Sequence, residues 1–143
     1  MRYGYTIIYV DDVSMTLHFY ETAFGFKKKF VTPEGDYGEL VSGDTVIAFA
    51  SISLGKSNFP SGFTPVSKSG EPVGIEMAFV TEEIERDFAQ ALAAGADLVV
   101  DVTTKSWGQK VGYLRDNNGM LIELCTPINN SVSYTHLTLP TKA

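Results

Sequence analysis

Two stretches of this chain carry the same grammar at a fixed offset. Val10-Asp11-Asp12-Val13 matches Thr81-Glu82-Glu83-Ile84 in character, and Gly25 matches Gly95, at offsets of 71 and 70 residues. Around each pair the order of signals is the same. Residues 5–10 and 74–80 are rich in β-branched and aromatic side chains, the mark of a strand. An acidic pair then opens a helical spacing, Val13, Leu17, Tyr20 and Phe24 in the first copy and Ile84, Phe88, Ala91 and Leu92 in the second. The glycine ends the helix. Three short strand-like runs follow, at 26–31, 37–41 and 45–51, and again at 96–102, 111–114 and 120–125. In 143 residues such a repeat is two halves of one body, because neither half alone buries enough surface to stand by itself. The expected fold is α+β: two tandem βαβββ units, residues 3–51 and 73–127, forming curved half-barrel sheets around a cavity with the helices outside. One domain, 1–128, is expected. Residues 52–72 form its linker, and 129–143 a tail outside it.

Charge and cysteine usage narrow the function classes. A formal charge of −6 disfavours nucleic acid and anionic membrane as partners, since both need clustered Lys and Arg. No run reaches the length of a membrane span, and the N-terminus has no signal-peptide pattern, so the cytoplasm is the expected compartment. Cys125 is the single cysteine, which excludes an intrachain disulfide and a multi-cysteine metal cluster; it reads as a small buried hydrophobe. His18 falls in the first helix and reads as a surface residue, and His136 falls in the tail.

The most informative segment closes the second unit. Residues 113–125 read as a strand, an Asn117-Asn118-Gly119 turn and a last strand carrying one acid, Glu123, among apolar neighbours. A carboxylate there needs a cavity or a partner. Glu123 therefore either faces a pocket or pairs with Arg115 or Lys110 across the terminal sheet. In the linker, Phe59 and Phe63 stand out. They either fold over a cavity mouth or pack against a second subunit.

The duplicated unit, the FYETAFGF helix end at 19–26, the Ala94-Gly95-Ala96 turn and the 116–123 segment together resemble the vicinal oxygen chelate superfamily, which includes glyoxalase I, extradiol dioxygenases, and fosfomycin- and bleomycin-resistance proteins. The resemblance spans residue 3 to about residue 126. It implies four metal-ligand positions, on the first and last strand of each unit, which fall on Tyr5, Ala48, Glu76 and Glu123. Glu76 is placed by counting five residues back from Thr81, as Tyr5 lies five back from Val10. Alternation then points Glu76, Ala78 and Val80 to the cavity, with Met77 and Phe79 toward the helix. The resemblance also implies a homodimer in which pockets form between paired units.

No metal is expected at these positions. Ala48 has no donor atom and Tyr5 is neutral at pH 7, whereas Zn, Ni or Fe sites favour imidazole or thiolate. If a metal is bound, Glu76 and Glu123 are its ligands, and Mn or Mg join Fe, Ni and Zn as candidates. Without one, two carboxylates on one face disfavour each other's charge and favour a cationic ligand. Tyr5, Tyr9 and Trp107 supply rings for the same cation, although Tyr9 equally suits a filler of the sheet interior. The expected function is thus metal-free binding or sequestration of a small cationic or aromatic molecule by Tyr5, Tyr9, Glu76, Trp107 and Glu123. The alternative is a lyase, isomerase or dioxygenase with Glu123 and Glu76 as catalytic groups or metal ligands. An interaction module without a pocket ligand is a third reading.

Overall fold

In the computed structural model, which describes residues 1–128, the chain forms two four-stranded sheets and three helices. The order is β1 (Thr6–Val10), α1 (Val13–Phe24), β2 (Lys27–Val31), β3 (Tyr37–Ser42), β4 (Thr45–Ser51), α2 (Ile52–Asn58), β5 (Glu76–Val80), α3 (Ile84–Ala93), β6 (Asp97–Thr104), β7 (Lys110–Arg115) and β8 (Leu121–Cys125). The sheets have the same topology, β1-β4-β3-β2 and β5-β8-β7-β6, with one parallel pair each, β1 with β4 and β5 with β8. The duplication read from the sequence is thus a structural one. The tail from residue 129, including His136, lies outside the described residues. Among the described residues no helix is long and apolar enough to cross a membrane.

Each unit uses alternation to separate two faces. In β1, Ile8 and Val10 are buried while Ile7 is exposed and Tyr9 half-buried. In β5, Met77 and Phe79 join the core while Glu76, Ala78 and Val80 are exposed. The helix-bearing faces of both sheets share one apolar cluster, in which Leu17, Tyr20 and Phe49 of the first unit meet Ile84, Phe88, Leu114 and Leu124 of the second. Helices α1 and α3 also pack on each other. The opposite faces, the open faces, do not close into one barrel among the described residues.

Local signals behave as the sequence predicts. Asp12 caps α1 by accepting from the Met15 backbone N–H at 2.9 Å, and Gly25 ends it at φ 75°. Gly112 is required by packing: a Cβ there would lie 2.6 Å from the Phe88 ring.

Tyr20 ties the units together. It is fully buried, its ring lies 5.0 Å from Phe49 of the first sheet and 6.3 Å from Phe79 of the second, and its hydroxyl donates to Asp116 Oδ2 at 2.5 Å. Asp116 also accepts from the backbone N–H groups of Asn118 and Met120, both at 2.8 Å, while Asn118 Nδ2 donates to Thr16 Oγ1 at 2.9 Å. The Asp116–Gly119 segment is therefore a turn that docks on α1. Burial pushes the Asp116 carboxyl above its ordinary range, against the pull of the Tyr20 hydroxyl and the turn N–H groups. Burial likewise pushes the Tyr20 phenol up, with the Asp116 charge adding to it.

The linker contains a helix that sequence reading leaves as loop. α2 has only seven residues, too few for a legible periodicity, and is started by Ser51, whose hydroxyl accepts from the Leu54 N–H at 3.1 Å. It packs on β1 and β4. Behind it, Phe63 and Phe59 lie 5.0 and 6.1 Å from Tyr9. Gly55 permits this approach, since a Cβ there would sit 2.7 Å from Phe63 and 2.8 Å from Tyr9. Further on, Arg115 holds the linker by donating to the carbonyls of Ser67 at 2.7 Å and Gly70 at 2.9 Å.

Two changes test these contacts. Tyr20→Phe is expected to cost about 1–3 kcal/mol in urea unfolding at neutral pH. Because the lost bond favours the ionised form of Asp116, the cost shrinks as pH falls through the carboxylate range and Asp116 takes up its proton; a cost independent of pH would show that the bond is not coupled to that ionisation. Gly55→Ala is expected to cost about 1–3 kcal/mol and to speed limited proteolysis between residues 52 and 72.

Candidate functional site

The open face of the second sheet carries the acids. Register places Ala78 of β5, Glu123 of β8 and Tyr113 of β7 in one row, with Glu76 opposite Leu121 in the next. Glu76 thus has the facing that alternation assigns to it. Glu123 is 1% exposed although it sits on the face away from the helices, and Tyr113 is half-buried beside it. Arg115 and Lys110 each hold contacts of their own. Arg115 holds the linker and the Gly119 carbonyl, and Lys110 donates to Glu85 Oε2 at 2.8 Å. That exposed pair lowers the Glu85 carboxyl.

The open face of the first sheet carries Tyr5, Ile7 and Tyr9 along the β1 edge and Ala48 in β4, which pairs with Ile7. Ala48 is fully buried, and its cross-strand neighbour on β3 is Glu39. Sequence reading missed Glu39. It lies in YGELVS, whose only signal is one acid within a strand-like run, and what it meets depends on the β3–β4 register. Glu39 is 9% exposed and accepts from the Tyr37 hydroxyl at 2.6 Å, with Lys29 Nζ at 3.6 Å. Burial, followed by the bond to Glu39 and contact with Tyr5, pushes the Tyr37 phenol well up.

Trp107 lies in the loop between β6 and β7. Its indole N–H donates to Gln109 Oε1 at 2.9 Å, and Gln109 Nε2 donates to the Thr126 carbonyl at 2.8 Å. His18 is exposed on α1, and Cys125 is buried. Two cavities lie elsewhere. One of about 370 Å³ is walled by Phe24, Phe26 and Phe79 with Arg86 and Asp87 at its rim. Another of about 320 Å³ lies between β5 and the β1–β4 edge. Neither is lined by Tyr5, Tyr9, Glu76, Trp107 or Glu123. Within one chain those five residues are therefore distributed over two open faces and a loop.

The donor set does not fit the three- or four-ligand transition-metal site that the resemblance implies. The second sheet offers two carboxylates, and the corresponding positions of the first offer a phenol and a methyl group. Among the described residues no three His, Cys, Asp or Glu side chains gather at one point.

Comparison with known proteins agrees with the topology. The model of the glyoxalase/bleomycin resistance protein/dioxygenase superfamily matches residues 2–124. An uncharacterized protein of Mycobacterium bovis is 29% identical over 124 residues, covering 83% of this chain and 79% of its own. Among solved structures, a hypothetical protein from S. aureus superposes with a TM-score of 0.74 at 17% identity, covering 89% of this chain and 94% of its own. A glyoxalase-related enzyme from Fulvimarina pelagi superposes at 0.73 with 15% identity, covering 89% of each chain. At these identities the structural likeness concerns the fold alone.

Proposed function

This chain belongs to the glyoxalase/bleomycin resistance protein/dioxygenase superfamily, and from that premise we propose that it is a metal-free binding protein that sequesters a small cationic or aromatic molecule on its open faces. The observation that carries the proposal is Glu123, a carboxylate 1% exposed on the face away from the helices, with Glu76 one row away on the same face. Two acids on one face make it negative, which favours an organic cation. The Tyr5 ring on the open face of the first sheet suits the same ligand, since a cation over an aromatic face gains about 0.5–2 kcal/mol as water is excluded, whereas Tyr9 packs on Phe59 and Phe63 and Trp107 is held by Gln109.

The same faces support a homodimer. Ile7, Val80 and Val100 are 40%, 65% and 45% exposed on open-face positions, an apolar display that a second copy would cover. A face of the first sheet meeting the partner's second sheet would bring Tyr5 and Glu123 to one pocket.

Three measurements test the proposal. In a thermal-shift screen, cationic aromatic compounds are expected to stabilise the protein, and Glu76→Gln and Glu123→Gln each to weaken the response; no response from any cation by a folded protein would refute it. Metal analysis of protein purified without chelator is expected to find no stoichiometric Mn, Fe, Ni or Zn. A metal lost on Glu123→Gln would instead favour a divalent-metal lyase, isomerase or dioxygenase. In sedimentation equilibrium the wild type is expected as a dimer and the Ile7→Lys/Val100→Lys double variant as a folded monomer, whereas a monomeric wild type would remove the pairing.

A further inference from the structure

The β2 strand contains an irregularity that local sequence does not require. Lys28 pairs with Leu40 and Phe30 with Glu39, so Lys29 is the extra residue of a bulge and both Lys29 and Phe30 stand against Glu39. Bulges re-aim side chains. Here the bulge brings the Lys29 ammonium to 3.6 Å from Glu39 Oε1, longer than a hydrogen bond, with the lysine side chain 53% exposed. Such a pair holds loosely. The other Glu39 oxygen is bound tightly by the Tyr37 hydroxyl at 2.6 Å, the Tyr37 ring lies 5.9 Å from Phe30, and the Tyr37 phenol interacts with that of Tyr5.

We propose that Glu39, Tyr37, Phe30 and Tyr5 form a cage for an organic ammonium group, in which Lys29 is a placeholder that an arriving cation displaces into solvent. The cage rests on the cationic-ligand proposal above and names where the positive charge is held. An acid 9% exposed needs a positive partner, yet the cation beside it stands 3.6 Å away and half in water. Aromatic rings around a carboxylate suit an ammonium ion, because the ring faces are negative and the acid supplies the charge.

The repeat supports the same assignment. Glu39 lies across from Ala48, the site position that lacks a donor, while the equivalent cross-strand pair in the second unit is Tyr113 and Glu123. The acid has moved from β8 in the second unit to β3 in the first. A tyrosine accompanies it in both, across the ladder in one and two residues away along the strand in the other.

The test titrates benzyltrimethylammonium into the full chain by calorimetry. Lys29→Met is expected to bind several-fold more tightly than the wild type, since the placeholder no longer competes. Glu39→Gln is expected to bind about tenfold or more weakly, with far-UV circular dichroism checking its fold. Unchanged or weaker binding by Lys29→Met overturns the cage, as does no binding by either wild type or Lys29→Met. If Glu123→Gln and Glu76→Gln weaken binding while Lys29→Met and Glu39→Gln do not alter it, the cage fails and the Glu123-based proposal stands. The reverse pattern keeps the cage and removes that proposal.

Discussion

Everything in this structure depends on burying two helix-bearing sheet faces against each other. Neither unit can cover its own apolar face with one helix of 12 or 10 residues, so the faces share a core, and Tyr20 sits where they meet. Its ring touches aromatic residues of both sheets and its hydroxyl reaches the last turn of the second. A phenol is suited to this place because it fills volume like Phe and still satisfies a buried carboxylate. Asp116 in turn orders the turn before β8, the strand that carries Glu123. The position of the candidate site thus rests on a hydrogen bond on the far side of the sheet.

Committing the helix-bearing faces to the core leaves the opposite faces for other work. They are acidic and aromatic rather than simply polar, with Glu76, Glu123 and Tyr113 on one sheet and Tyr5, Tyr9, Tyr37 and Glu39 on the other. The α2 segment covers part of the first face through Phe59 and Phe63. Tyr9 belongs to that cluster, so its ring serves packing in this state of the chain. The duplicated scaffold has diverged at its sites while keeping its core, as expected when stability and function lie on opposite faces of one strand.

The repeat, both long helices, eight strands and the facing of Glu76 were legible because they follow from local periodicity: 3.6 residues for a helix, two for a strand. The missing donor at Ala48 was legible once the family resemblance placed a ligand position there. The short helix in the linker was not, since seven residues within a Gly- and Ser-rich stretch carry no period, and its glycine is explained only by the rings that approach it. The partners of Arg115 and Lys110 were also out of reach, because each lies at least 25 residues away on another element except for the turn carbonyl of Gly119.

By itself, then, the sequence determined the class of fold, its division into two like units and which side chains of β1 and β5 avoid the core. The tertiary structure alone decided which of those side chains meet. Glu39 became part of a site only through the pairing of β3 with β4 and a one-residue bulge in β2. Facing is a property of one strand and can be counted along it. Register and bulges are agreements between strands, set by packing that no single segment contains.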